Sequence, residues 1–262
     1  MNLNVDDKTV FAATGGRPFD PARPAIVFLH GAGMDHTVWA LQTRYFAHHG
    51  AAVLAVDLPG HGGSDGPTLD SIGAMAEWVG RLLDAAGAGD AALAGHSMGA
   101  LVALAATAAL GDRVRALALL GAAPRMPVHP DLLAAAQADD PLAFDLVTSW
   151  GHGPAGHLGG HRAPGLWMMG GAEALLARAP AGVLHSDLAA CNAYEDAAEA
   201  AAKVACPCLV VMGEMDKMTP AKAGRTLVAM IPGAQTATIP ACGHMMMLEQ
   251  PDATLDALRS IL

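Results

Sequence analysis

The chain has 262 residues, 53% of them hydrophobic and only 15% charged, which excludes a disordered chain and supplies one large core or two small ones. The formal net charge is −10, from 25 acidic against 15 basic residues. With no basic patch in view, that balance argues against nucleic acid or an anionic membrane surface as partner.

The first ten residues, MNLNVDDKTV, carry acids and no apolar stretch, so no signal peptide is expected and the protein is expected to be cytoplasmic. The first clear strand is PAIVFLHG, Pro24 to Gly31, whose continuous apolar, β-branched run suits a strand buried on both faces. HTVWALQTRYFAHHG follows with helical spacing of Val38, Leu41, Tyr45 and Phe46, and Gly50 ends it. AAVLAVDLPGHGGSDG reads as a second buried strand entering a glycine-rich loop. In LDSIGAMAEWVGRLLDAAG, the residues Ile72, Met75, Trp78 or Val79, and Leu82 share one side of an amphipathic helix.

The apolar run from Ala91 to Leu110 has the length of a membrane span, but Gly95, His96, Ser97 and Gly99 interrupt it near its start. A strand (AALAGH), a tight turn and a buried helix (MGALVALAATAALG) explain it better, and VRALALLGAAP adds another strand. The alternation predicts an α/β fold with a mostly parallel, twisted sheet and helices on both faces. From about Arg125 to Ala205 it stops, and the stretch reads as a helical insertion. The sheet pattern returns in PCLVVMGEMD and AQTATIPACGH, and QPDATLDALRSIL closes the chain as an amphipathic helix with Leu255, Leu258 and Ile261 or Leu262 on its buried face.

Ser97 sits in Gly95-His96-Ser97-Met98-Gly99, the G-x-S-x-G pattern between an apolar strand and an apolar helix. Two roles suit a serine there. It can cap the helix, or it can be a nucleophile held out over a pocket on a strained turn that only flanking glycines permit. A hydroxyl needs a base within hydrogen-bond reach, and the base needs an orienting acid. Asp216 follows one later strand and His244 the next, giving the chain order Ser, Asp, His. Glu214 is an alternative acid, but Asp216 lies farther into the turn, before Thr219-Pro220.

The stretches FLHGAGMD, VDLPGHGGSDG, AGHSMGA, VMGEMDKMTP and ACGHMMMLEQP, in this order and over nearly the whole chain, resemble the serine-dependent α/β-hydrolase fold family, carboxylesterase-like with a helical cap. The resemblance implies catalysis by Ser97, Asp216 and His244. It also implies an oxyanion hole built from the backbone N–H of Met98, next after the nucleophile, and of Ala32 in HGAG. The core would comprise residues 1–124 and 206–262, and the cap residues 125–205. The expected activity is hydrolysis of small to medium carboxylic esters. Lactone, enol-lactone or carbon–carbon (diketone) hydrolysis on the same fold is the alternative, and a non-catalytic ligand-binding protein is a third.

The remaining polar residues have plainer expected roles. Asp57 is expected to fix its loop through backbone hydrogen bonds, His30 to pack behind the HGAG loop with a structural hydrogen bond, and His96 to support the elbow. His152, His157 and His161 are separated by glycines and lack an acidic or thiol partner, so a loop is expected there and not a metal site. The cysteines Cys191, Cys206, Cys208 and Cys242 are expected to be free thiols, since Cys206-Pro207-Cys208 lacks a second ligand pair. Trp150, Trp167, Met168 and Met245 are candidate substrate-binding residues, the methionines because they pack adaptably. No metal, nucleotide or flavin is implied, and the expected partner is a small-molecule ester met by a monomer or homodimer.

Overall fold

The structure, a computed structural model, describes residues 1–159 and 167–262. The chain opens on a hairpin, β1 (Asn2–Val5) and β2 (Lys8–Ala13), that the sequence pattern does not announce. Its two-residue turn is Asp6-Asp7, both at positive φ (54° and 60°), with Asn4 Oδ1 accepting from the Asp7 N–H at 3.1 Å. Two aspartates do the work usually signalled by Asn-Gly, and the side-chain hydrogen bond explains how they hold the left-handed conformation.

The remaining strands are β3 (Ala25–Leu29), β4 (Ala52–Val56), β5 (Ala91–His96), β6 (Val114–Leu120), β7 (Cys208–Gly213) and β8 (Gln235–Ile239). They form one eight-stranded sheet in the order β1-β2-β4-β3-β5-β6-β7-β8. β1 and β2 pair antiparallel, as do β2 and β4, and every other neighbouring pair is parallel. β3, β4, β5 and β7 are buried along their whole length, while the edge strand β8 is mostly exposed until Ile239.

Because side chains alternate across a strand, the two faces of the sheet receive different residues. Val27, Leu29, Leu93, Leu117 and Val210 face α2 (Ile72–Ala86) and α3 (Met98–Leu110). Ile26, Phe28, Ala92, Ala94 and Ala118 face the opposite layer, where Trp39, Phe46 of α1 (Ala40–His48) and Leu258 of the closing helix pack. Ser71 caps α2, its Oγ accepting from the Ala74 N–H at 3.3 Å, and Gly87 ends it in the left-handed conformation. α3 is apolar on every side because the sheet covers one side and neighbouring helices cover the others. The Ala91–Leu110 run is therefore a buried strand, an elbow and a buried helix, and among the described residues no helix is long and apolar enough to cross a membrane. Leu41 is a departure from the expected helix face: it is exposed, while Val38 and Phe46 are buried.

Between β6 and β7 the described residues form α4 (Pro130–Gln137), α5 (Leu142–Gly151), α6 (Pro154–His157), α7 (Met168–Ala177), α8 (Val183–Ala193) and α9 (Ala197–Ala202). Leu132, Ala136, Val147, Leu176, Leu184 and Leu188 give this segment an apolar cluster of its own. After β7 come α10 (Ala221–Met230), α11 (Met246–Glu249) and α12 (Pro251–Arg259). Leu258 of α12 is fully buried, whereas Leu255, Ile261 and Leu262 are half-buried against the same cluster.

Candidate active site

Parallel pairing puts the C-terminal ends of β3, β5, β7 and β8 on one edge of the sheet, so the loops leaving them converge. The loop after β3 carries Ala32, the β5–α3 junction carries Ser97, the turn after β7 carries Asp216 and the loop after β8 carries His244.

Ser97 is a non-glycine residue at φ 54°, ψ −116°, a conformation L residues rarely adopt. The glycines around it are demanded by close approach. A Cβ on Gly95 would collide with the Gly99 carbonyl, and a Cβ on Gly99 with the carbonyl oxygens of Leu29 and His30. Gly99→Ala is therefore expected to destabilise the fold by about 3 kcal/mol or to leave no soluble protein, read by thermal unfolding. The Ser97 carbonyl starts α3 by accepting from the Ala100 N–H at 2.9 Å, but its hydroxyl makes no capping bond. The helix-cap role for the side chain is thus not realised, and the hydroxyl is left for another purpose.

His244 and Asp216 meet. His244 Nδ1 lies 2.8 Å from Asp216 Oδ2, both side chains being buried. Facing a carboxylate, Nδ1 donates, which leaves a lone pair on Nε2. That Nε2 is buried with no hydrogen-bond partner among the described residues, and His244 and Ser97 line the same cavity. Asp216 is itself held. Its Oδ1 accepts from the Met218 and Thr219 N–H groups, both at 2.8 Å, and its Oδ2 also accepts from Thr219 Oγ1 at 2.7 Å. Burial works to raise the Asp216 carboxyl pKa, but electrostatic attraction to the His244 ring and the hydrogen bonds from His244 and Thr219 outweigh it and hold the pKa below the usual carboxylate range. Glu214, on the same turn, is exposed and accepts instead from the Ala241 N–H at 2.9 Å.

The backbone of His244 is fixed from three directions. Its N–H donates to Gly151 O at 2.9 Å, at the end of α5. Its carbonyl accepts from His96 Nε2 at 3.0 Å, so the residue before the candidate nucleophile steadies the candidate base. Buried Glu249 accepts from the N–H groups of Gly243 and Met245 on either side, at 3.1 and 3.2 Å, and from Gly153 N–H at 2.8 Å. Burial and the nearby His244 push the His96 pKa far down, which keeps its ring neutral and consistent with a single N–H donor. Glu249 and Gly151 carry no sequence signal for these contacts, because their partners are backbone groups, while Thr219 is a local partner three residues after Asp216 that no motif singles out.

Met98 is the first residue of α3, so its N–H has no partner within the helix. The Ala32 N–H donates to no group among the described residues. Behind this loop, His30 Nδ1 donates to Gly31 O at 2.9 Å and its Nε2 accepts from the Leu58 N–H at 3.1 Å. Burial, aided by the neighbouring His61, lowers its pKa to about 4, so the ring is neutral in one fixed tautomer. Asp57 ties its own loop down, accepting from the His36 N–H, from His36 Nδ1 and from the Gly63 N–H at 2.7–2.8 Å. Asp35, His36 and Asp57 are the only close group of possible metal ligands among the described residues. Their atoms are largely taken by these bonds and by Thr37 and Arg178, so the group reads as loop architecture.

The cavity holding Ser97 and His244 measures about 390 Å³, within the usual range for a small-molecule site. Trp150 and Met245 line it together with Met34, Leu132, Leu184 and Cys191. Trp167, 68% exposed, and Met168 instead line a neighbouring cavity to which neither Ser97 nor His244 contributes. Met34, Val147 and Met245 line both and form the shared wall. His152 and His157 donate to backbone carbonyls of the α5 region, and His161 lies outside the described residues. The four cysteines are free.

Comparisons with known proteins agree with this architecture. The chain is 31% identical over 247 residues to the pimeloyl-(acyl-carrier protein) methyl ester esterase of Aromatoleum aromaticum, covering 88% of this chain and 94% of that one. It is 32% identical over 248 residues to the protein of that name from Xanthomonas campestris, covering 90% and 93%. Among solved structures, an enol-lactonase from Burkholderia xenovorans superimposes with a TM-score of 0.86 at 22% identity, covering 99% of this chain and 98% of the other, which speaks to fold. A thermophilic esterase superimposes at 0.80 with 27% identity, covering 99% and 95%. A model of the alpha/beta hydrolase family matches residues 26–257, and the chain belongs to that family.

Proposed function

We propose that the protein is a carboxylic ester hydrolase acting by two-step acyl transfer on Ser97. The observation that carries this is the one-sided hydrogen bonding of His244: Nδ1 is bonded to Asp216, and Nε2 is unpartnered beside the cavity that Ser97 also lines. Nε2 takes the Ser97 proton as Oγ attacks the ester carbonyl. The N–H groups of Met98 and Ala32 hold the resulting oxyanion, each worth about 3 kcal/mol in comparable sites. The alcohol leaves with the proton from His244, and a water activated by the same nitrogen releases the acid. Asp216 keeps the imidazole in the Nδ1–H tautomer and stabilises the imidazolium.

Residues 125–205 act in this scheme as a cap over a core of residues 1–124 and 206–262. Apart from Ser97, His129, Lys217, Thr219 and His244, the cavity lining is apolar or glycine, which suits a small to medium acyl group. The curated relatives named as methyl ester esterases support a carboxylic ester with a small alcohol. The segment 125–205 carries nine acidic against four basic residues, a poor face for an acidic protein partner, so the proposed substrate is a free small molecule. We infer action in the cytoplasm.

A series of p-nitrophenyl esters from acetyl through butyryl and octanoyl to palmitoyl tests the substrate class. Turnover is expected to peak at butyryl or octanoyl and to fall by about tenfold or more at palmitoyl, with an active-serine phosphonate blocking all of it. Turnover confined to enol-lactones or vinylogous diketones would overturn the ester assignment. An absence of both labelling and turnover would point to a ligand-binding protein.

A further inference from the structure

Asp187 on α8 is wholly buried, yet it reaches out of the β6–β7 segment to two loops of the sheet edge. Its Oδ2 accepts from the Gly33 N–H at 2.8 Å and from His61 Nε2 at 2.8 Å. His61 is equally buried, and its Nδ1 faces Pro59 O at 3.1 Å. With a carbonyl beside one nitrogen and a carboxylate beside the other, both nitrogens are placed to donate, an arrangement that favours the imidazolium. Burial opposes that charge, but Asp187 and the Pro59 carbonyl prevail and raise the His61 pKa. The pair is thus a buried ion pair joining α8 to the loop after β4. The second carboxylate oxygen, Oδ1, is buried without a partner among the described residues, a cost accepted for the sake of the Oδ2 contacts.

The contact at Gly33 bears on the oxyanion hole. Gly33 N–H belongs to the Ala32–Gly33 peptide, and the peptide before it contains both the Gly31 carbonyl and the Ala32 N–H. His30 holds the first of these by donating to Gly31 O, which turns the Ala32 N–H to the opposite side. Asp187 holds the next peptide, Ala32–Gly33, by accepting from the Gly33 N–H. The two histidines lean on one another, their ring centroids 4.8 Å apart. Gly33 is pressed from the same helix, for at φ 67° a Cβ there would come within 2.9 Å of Leu184 Cδ1, three residues before Asp187 on α8. One helix therefore grips the oxyanion loop by a packing contact and a charged hydrogen bond.

We propose that Asp187, braced by its hydrogen bond to His61, is a positioning residue for the oxyanion hole: it fixes the Ala32–Gly33 peptide and with it the aim of the Ala32 N–H. This rests on Ser97 acting as the nucleophile, and it makes α8 a working part of the catalytic apparatus beyond its role as a lid.

The test compares Asp187→Ala and Asp187→Asn with the wild-type enzyme in three readings: kcat and KM on a p-nitrophenyl ester, affinity for an alkyl boronic acid, and inhibition by the product carboxylate. The boronic acid forms a tetrahedral adduct on the nucleophile that places oxygen in the oxyanion hole, whereas the product acid reports only ground-state binding. Asp187→Ala is expected to lower kcat by about 10²-fold, the cost of a misplaced donor, and to weaken boronate binding by a similar factor, with KM and product inhibition changed by less than about threefold. Asp187→Asn still offers Gly33 an oxygen but no charge, and an intermediate loss of about tenfold in both kcat and boronate affinity is expected. The proposal fails if kcat drops without boronate affinity following, if product inhibition weakens in step, or if Asp187→Asn keeps wild-type values of both. If Asp187→Ala does not fold, Asp187→Asn decides by the same criteria. A wild-type enzyme that turns over esters but binds no boronate would instead sink the serine mechanism, and this proposal with it.

Discussion

Ser97→Ala should lower kcat by about 10⁴- to 10⁶-fold while leaving the fold intact. The residual rate should stay above that of water alone, because the oxyanion donors remain. The structure makes this substitution unusually clean. Alanine keeps the Cβ, so the strain of the positive φ at position 97 is the same in both proteins. The serine hydroxyl makes no capping bond to α3, so its removal costs none of the roughly 1 kcal/mol that loss of a cap entails. Thermal unfolding should therefore change little while turnover falls to that residual level and phosphonate labelling vanishes. A loss of stability with turnover preserved would restore the helix-cap role and remove the nucleophile. Purified Ser97→Ala with wild-type ester hydrolysis would end the mechanism outright.

How far the sequence foretold this site depends on how far apart the partners sit. β3, β4, β5 and β7 were legible because strands buried on both faces carry nearly continuous apolar runs. The elbow was legible because steric demand at Gly95 and Gly99 leaves almost no choice of residue. The β1–β2 hairpin was not, since Asp6-Asp7 lacks the usual turn signature and its strands are short and half-exposed. Apolar side chains in the β6–β7 segment could be named but not assigned to a cavity: Trp150 and Trp167 look alike in sequence, yet only the first lines the Ser97 cavity. Least legible were the buried polar supports. Asp187 meets Gly33 across 154 positions and His61 across 126, and His96 meets the His244 carbonyl across 148. Hydrogen bonds between distant single residues leave no periodicity to read, and only their burial, once seen, shows that each needs a partner.

Asp216→Asn is expected to cost about 10⁴-fold in kcat with KM nearly unchanged, while Glu214→Gln should stay within about threefold of wild type. The pattern of donors around Asp216 explains why an amide of the same shape fails. Oδ1 accepts from two N–H groups, those of Met218 and Thr219, so the oxygen of asparagine is required on that side. Its NH₂ group must then occupy the Oδ2 position, facing His244 Nδ1 and Thr219 Oγ1. An NH₂ there donates to Nδ1 and drives the imidazole proton to Nε2, the nitrogen that has to accept the proton of Ser97. Geometry is preserved and the base is lost. Glu214 makes only an exposed bond to Ala241 N–H, and its amide can still accept there. Acid stability gives a second reading of the same pair. The folded Asp216 pKa lies below its ordinary value, so its stabilising effect is present above the unfolded pKa of about 4 and is lost as pH falls through the folded value. Asp216→Asn should flatten that acid-side loss in pH-dependent unfolding, and Glu214→Gln should leave it in place. Equal kinetic losses from the two variants would transfer the orienting role away from Asp216 and undo the tautomer argument.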